Sequence, residues 1–313
     1  MEKQSVKTVL IIGAGVMGPS IAQVFACADM DVRLVDVEQK ALDRAMPLIE
    51  SSLRTMAHYG KISKDRIPSI LAPIHPSTNL EDVAEEADFI MEVVPEVPEI
   101  KEKVFAQLDR VSPEDTIIAS NTSGLNIFDI ANIKSPERLI ITHYFSPAHI
   151  IPLVEVVPGP KTSSETISFA VRLLEDVGKS PVVLNEFMPS FIVNRIQNAI
   201  GAAVQEMLEK DWASPKDIDR AVKLSLGIRL PIIGVVQTAD FNGLDLVCDI
   251  MRSHGKESPF FNSLVEQGRL GVKTSKGIYD YGDRSEAEIL KKRDKLFLQL
   301  MDYLEKIDAF EPV

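Results

Sequence analysis

Three glycines at fixed spacing, Gly13, Gly15 and Gly18 in G-A-G-V-M-G, follow directly on the β-branched run T-V-L-I-I at 8–12. Apolar residues at helical spacing begin immediately afterwards. A strand that turns through glycine into a helix constrains a chain severely, because each glycine has its own steric task. The first makes the tight turn, the second lets a pyrophosphate approach the backbone, and the third lets the helix pack on the sheet. The helix start presents free N–H groups and the positive end of its dipole to phosphate. Pro19 falls in the first turn, where its missing N–H is harmless.

The surrounding chain supports that reading. Short apolar runs at 8–12, 31–35, 89–93, 116–120, 138–142, 153–157 and 180–184 alternate with helical patterns at 19–29, 38–58, 99–110 and 164–177. Such alternation predicts βαβ units and a Rossmann-type, doubly wound, mostly parallel sheet. Asp36 closes the second run, where a carboxylate binds the ribose hydroxyls and repels a 2′-phosphate. The expected cofactor is therefore NAD, held by Gly13, Gly15, Val16, Met17, Gly18 and Asp36. The bland alternative is a tight glycine turn with no ligand.

Near Asn185 the pattern changes. Apolar residues recur at helical spacing from Phe191 to Leu208, and further helices are expected at 215–225, 240–252 and 285–306. This divides the 313 residues into an NAD-binding α/β domain at 1–187 and an all-helical substrate and dimerisation domain at 188–313. With 34 Lys and Arg against 46 Asp and Glu, the net charge of −12 argues against nucleic acid and polybasic membrane contact. Cys27 and Cys248 show no metal-ligand spacing, no metal is expected, and buried thiols in a reducing compartment are the simplest reading. The apolar run before Gly13 is too short for a signal-peptide core, and Ile11–Ala28 is interrupted by glycines, Pro19 and Gln23, so a cytoplasmic location is expected.

Three polar side chains stand near strand ends. Ser120 closes T-I-I-A-S, His143 follows R-L-I-I-T, and Glu155 lies twelve residues later on L-V-E-V-V. The carboxyl ends of the strands form the rim where ligands bind in open parallel sheets. Imidazole titrates near neutral pH and accepts an alcohol proton, while a neighbouring carboxylate fixes its ring and stabilises the cation. From spacing alone, the competing readings are a satisfied strand-end histidine, an exposed strand carboxylate and a turn serine.

These residues bring a family with them. The chain resembles the NAD-dependent L-3-hydroxyacyl-CoA dehydrogenases through G-A-G-V-M-G, S-N-T-S-G-L from Ser120, and H-Y-F-S-P…P-L-V-E-V-V with its His-to-Glu spacing. F-I-V-N-R at 191–195, A-D-F-N-G-L-D at 239–245 and G-V-K-T-S-K-G-I-Y-D-Y from Gly271 extend it. The resemblance implies reversible oxidation of a 3-hydroxyacyl-CoA in fatty acid metabolism by a homodimer. It makes His143 the general base, Glu155 its partner, Ser120 a hydrogen-bonding group at the reacting oxygen, and Asn194 a substrate-holding residue. It also implies cofactor contacts from Glu96, Lys101, Ser146 and Lys273, with Glu96 and Lys101 on the nicotinamide side. Without the family, Glu96 and Lys101 read as a solvated helix start.

The chain departs from the family in several places. Ser146 and Ser190 replace the usual Asn and Gly, and R-T-M-A-H-Y-G stands where coenzyme-A users carry a lysine-rich run. Ser52 matches a position that touches coenzyme A. G-I-R-L-P-I-I-G at 227–234 is similar to the gulonate 3-dehydrogenase and lambda-crystallin branch, in which Arg229 would hold a free carboxylate. A free 3-hydroxy-acid dehydrogenase and a non-catalytic NADH-binding structural protein are alternatives, and a hydroxyacid-dehydrogenase class with a catalytic lysine is disfavoured, because no glycine-rich helix carrying one follows the boundary.

Overall fold

The computed structural model describes residues 6–311. The chain separates into two compact units, the first ending at Ala199 and the second beginning at Ile200. In the first, the β-branched runs become strands, since such side chains pack well on a pleated surface. The elements run β1 (Thr8–Ile12), α1 (Gly18–Cys27), β2 (Asp31–Val35), α2 (Gln39–His58), α3 (Ile67–Leu71), β3 (Ile74–Ser77), α4 (Glu81–Ala84), β4 (Phe89–Glu92) and α5 (Pro98–Val111). They continue with β5 (Ile117–Ser120), α6 (Ile127–Ile130), β6 (Leu139–Tyr144), β7 (Leu153–Pro158), α7 (Ser164–Asp176), β8 (Ser180–Val183) and α8 (Val193–Glu209).

The strands form one eight-stranded sheet in the order β3-β2-β1-β4-β5-β6-β7-β8. Every pairing is parallel except β6 with β7. The chain moves outward in opposite directions from β1, so a crevice opens beyond the carboxyl ends of β1 and β4. Both faces are buried. Val9, Ile11, Leu34, Met91 and Ala119 pack under α1, α2 and α7, while Ile90, Ile118 and Ile141 pack under α5 and α6. This two-sided burial is why the strands read as continuous apolar runs without alternation.

Two differences from the sequence reading concern the sheet. β3, I-H-P-S, was not expected, because only Ile74 of its four residues is buried and Pro76 suits an edge position. β6 extends to Tyr144, so His143 lies inside the strand and not after it.

The second unit is helical: α9 (Pro215–Ala221), α10 (Gly227–Asn242), α11 (Leu244–Ser253), α12 (Pro259–Glu266) and α13 (Glu286–Lys306). α10 and α12 were not expected. The helix expected at 215–225 becomes α9 followed by a π segment at 222–226, and the one at 240–252 is interrupted at Gly243. Pro215–Asn242 is long and apolar enough by composition to cross a membrane. Charged residues crowd its first nine positions, so its apolar part straddles Gly234, where φ 64° and ψ −176° break the helix.

Candidate active site

The glycine loop shows three separate steric demands. Gly13 has φ +114°, and a Cβ there would come within 2.7 Å of the Val93 carbonyl oxygen. A Cβ on Gly18 would strike the Gly13 carbonyl, whereas one on Gly15 would meet nothing within 4 Å. The open side of Gly15 faces a cavity of about 720 Å³. The Asp36 carboxylate accepts from the Ala14 amide (2.7 Å) and the Glu38 amide (2.9 Å), bracing the loop from beneath. The cavity runs from Asp36 and Val37, past Gly13, Val16 and Met17, to Glu96, Asn121 and Ser123. Its glycine floor, with the Asp36 and Glu38 carboxylates at one end, suits a dinucleotide with free ribose hydroxyls.

A row of polar residues crosses the sheet at the far end. Glu92 pairs with Ser120 across β4 and β5, Ser120 pairs with Ile141 across β5 and β6, and His143 faces Glu155 across β6 and β7. Because side chains alternate along a strand, Glu92, Ser120, His143 and Glu155 all project from the α5-covered face. All four are buried, with His143 3% exposed and the other three at 0%.

His143 Nδ1 lies 2.8 Å from Glu155 Oε2. Phe145 and Phe191 stand edge-on or tilted against the imidazole, at 4.6 and 5.3 Å between ring centroids. The other Glu155 oxygen accepts from the Ile192 and Val193 amides, both at 2.9 Å, at the start of α8. The chain reaches that geometry through Ser190 (φ 65°) and Phe191 (φ 48°), two left-handed residues in succession. Burial raises the Glu155 pKa, but the hydrogen bonds from His143 and the Val193 and Ile192 amides outweigh it and hold the carboxyl below the usual glutamate value.

Glu92 was not singled out from the sequence. Its Oε1 accepts from Lys101 Nζ (2.7 Å) and the Val94 amide (2.9 Å), and its Oε2 accepts from the Ser120 hydroxyl (2.5 Å). Lys101 is 1% exposed and also reaches Glu96 at 3.3 Å, so the solvated reading fails for Lys101, while Glu96 and the helix start before Lys101 remain exposed. Glu96 is 41% exposed and accepts from the Thr122 hydroxyl and the Ser123 amide. Burial raises its pKa, yet Thr122, Lys101 and Ser123 bring it below the ordinary value. The one hint in the sequence was a carboxylate inside the apolar run F-I-M-E-V-V, which is costly to bury unless it is paired, but its partners were not visible there.

Comparison with known proteins settles the family. Residues 8–187 match the model for the 3-hydroxyacyl-CoA dehydrogenase NAD binding domain, and residues 191–281 match the C-terminal domain of the same enzymes. The chain belongs to the 3-hydroxyacyl-CoA dehydrogenase family. It is 35% identical over 289 residues to a probable 3-hydroxybutyryl-CoA dehydrogenase of Bacillus subtilis (strain 168), covering 90% of this chain and 99% of that one. It is equally 35% identical over 295 residues to 3-hydroxyadipyl-CoA dehydrogenase of Escherichia coli (strain K12), covering 91% of this chain but only 61% of that longer protein. The crystal structure of a 3-hydroxyacyl-CoA dehydrogenase from Archaeoglobus fulgidus DSM 4304 superposes with a TM-score of 0.80 at 29% identity, over 96% of this chain and 99% of that one. The protein is thus an NAD-linked oxidoreductase, and its cofactor is NAD.

The remaining positions suggested by the resemblance to 3-hydroxyacyl-CoA dehydrogenases are distributed over several places. Asn194 is the second residue of α8, and its amide approaches the Ser123 carbonyl at 3.4 Å, which brings it to the rim. Ser146 lines a different cavity of about 400 Å³, shared with Ser52, Gln23 and His149, beyond Val16. Ser52 donates to the Gln23 amide oxygen in a very short contact. Lys273 and Arg229 both lie in the second unit. Lys273 is ion-paired with Asp245, while Arg229 donates to Ser225 at 3.1 Å and leaves its buried Nε without a partner.

Proposed function

We propose that the protein reversibly oxidises a 3-hydroxyacyl-CoA to the 3-oxoacyl-CoA, with His143 as general base. The observation that carries this is the buried 2.8 Å pairing of His143 Nδ1 with Glu155. An Nδ1–H held on a carboxylate leaves Nε2 as the nitrogen with a free lone pair. Nε2 then takes the proton from the 3-hydroxyl, and Glu155 stabilises the imidazolium that forms. Glu155 is in turn held by two α8 amides, so the base is fixed in tautomer and orientation before substrate arrives. Bound NAD supplies the hydride acceptor at C3. Asp36 and the glycine loop would hold its adenosine end, and Glu96, Asn121 and Ser123 line the other end of the same cavity. Ser120 meets the reacting oxygen, and Asn194 steadies the substrate from the rim.

The carrier end has a matching feature. Arg54 and His58, on the same helix as Ser52, and Lys64 beyond its end line a cavity of about 260 Å³. Lys64, and Arg54 beside its partner Glu50, suit coenzyme-A phosphates despite the altered lysine run. A free hydroxy acid is the second reading, supported by the unpartnered Nε of Arg229. We place the NAD-binding domain at 1–187 and the substrate and dimerisation domain at 188–313. The apolar residues left exposed on α8, α10 and α11, among them Ile196, Ile200, Val235, Val236 and Ile250, support a homodimer. The two unpaired thiols fit a reducing, cytoplasmic setting.

The test follows NADH consumption with acetoacetyl-CoA beside free acetoacetate. Loss of NADH with the thioester alone is expected, and loss with the free acid alone would transfer the reaction to free hydroxy acids. His143→Ala should lower turnover by roughly 10²–10⁴ while NADH binding persists. Unchanged turnover would remove His143 from the chemistry.

A further inference from the structure

Ser120 has a single proton and is 0% exposed. That proton is committed to Glu92 Oε2 at 2.5 Å. The Thr122 amide points at the Ser120 oxygen from 3.2 Å, which engages one of its lone pairs. A hydroxyl has one donor and two acceptor positions, so one acceptor position is left. Glu92 cannot release the proton cheaply, because it is itself locked by Lys101 Nζ and the Val94 amide on its other oxygen.

We propose that Glu92 is a positioning residue, which holds the Ser120 proton and so fixes the Ser120 hydroxyl as a hydrogen-bond acceptor toward the reacting oxygen. This rests on the reading, proposed above, that Ser120 meets that oxygen. The consequence is directional. A 3-hydroxyl can donate to Ser120 as it arrives, before its one proton turns to His143 Nε2, whereas a 3-oxo group has no proton to give and gains nothing from the serine oxygen. Ser120 therefore favours the alcohol over the ketone in the bound state. The donor that a ketone needs is left to protonated His143.

Two variants separate this from a structural role. In Glu92→Gln, the amide oxygen can keep the Val94 and Lys101 donors, while the amide NH₂ now donates to Ser120 and frees the serine proton for the substrate. Lys101 retains Glu96 as a counter-ion. Dissociation constants are measured without turnover, for the 3-hydroxy thioester in the NADH complex and for the 3-oxo thioester in the NAD complex. Glu92→Gln should raise the alcohol-to-ketone ratio of these constants at least fivefold. Ser120→Ala should also weaken the alcohol more than the ketone, and adding Glu92→Gln to it should change the ratio no further. A loss shared equally by both ligands, or a Ser120→Ala variant that weakens the ketone more, overturns the inference.

Should Glu92→Gln fail to fold, the direction of the Ser120→Ala effect decides alone. A wild-type protein that binds neither thioester defeats the proposed substrate and not this inference. Proton NMR then reads the hydroxyl itself: a slowly exchanging downfield resonance that Ser120→Ala abolishes is expected, and its absence from the wild type overturns the inference.

Discussion

Glu155 serves two structures at once, the imidazole of His143 and the first amides of α8. Its lowered pKa makes it a source of stability that depends on pH. A carboxyl whose folded pKa lies below its unfolded value stabilises the fold above the unfolded value, and loses that contribution as pH falls through the folded one. Glu155→Gln should therefore cost about 1.5–3 kcal/mol at pH 7, the range for hydrogen bonds to a charged group. Denaturant titrations between pH 7 and pH 3 should show the gap between variant and wild type closing below about pH 4.3, the ordinary glutamate value. A gap that stays constant would mean the carboxylate charge is irrelevant there. The His143–Glu155 pair was legible because a twelve-residue spacing across one turn fits an antiparallel return. Glu92 was not, because its partners depend on the register of β4 with β5 and on a lysine arriving from α5, and neither is visible along the chain.

At the scale of elements, what the sequence revealed follows how strongly each segment's own residues decide its conformation. β1, β2 and β5 to β7 are buried on both faces and announce themselves as apolar runs. β3 carries one buried residue, so nothing in its four positions distinguishes it from a loop. α10 hides for a different reason: Pro231 and Gly234 interrupt its pattern, and both lie inside the element. Gly234 adopts φ 64° with ψ −176°, a region that only glycine enters without strain, yet a Cβ there would meet nothing within 4 Å. The whole cost of replacing it is therefore conformational. Gly234→Ala should destabilise the protein by about 1–3 kcal/mol, seen as a lowered melting temperature. A variant as stable as wild type would show that the break is not needed. Ser190 makes the complementary point, since it occupies a left-handed position that favours glycine, and nothing in the sequence shows that backbone demand.

For the whole molecule, the acidic balance of −12 argues against nucleic acid and polybasic membrane contact and identifies no partner. The division of labour came from the change in periodicity near Asn185, whereas α8 runs unbroken from Val193 to Glu209, past the point where the two compact units divide. None of the α8 residues is buried, although its apolar spacing was the clearest helical signal in that half. An apolar face of that kind fits burial against a second copy of the chain. Val236→Asp, on the exposed face of α10, should shift the mass measured by light scattering from two chains toward one. A mass unchanged down to nanomolar concentration would place the contact elsewhere.

Asp36 shapes what can be done with this protein as a catalyst. Converting an NAD enzyme to the phosphorylated cofactor ordinarily begins by deleting the carboxylate that repels the extra phosphate. Here that carboxylate is also the acceptor for the Ala14 and Glu38 amides, so its removal unties the loop that carries the pyrophosphate. A designer who wants the other cofactor must supply a short neutral acceptor in its place, such as Asn, whose one amide oxygen can keep the Ala14 amide but not the Glu38 amide as well. Drift at this position faces the same restriction, because cofactor choice and loop rigidity are inherited together.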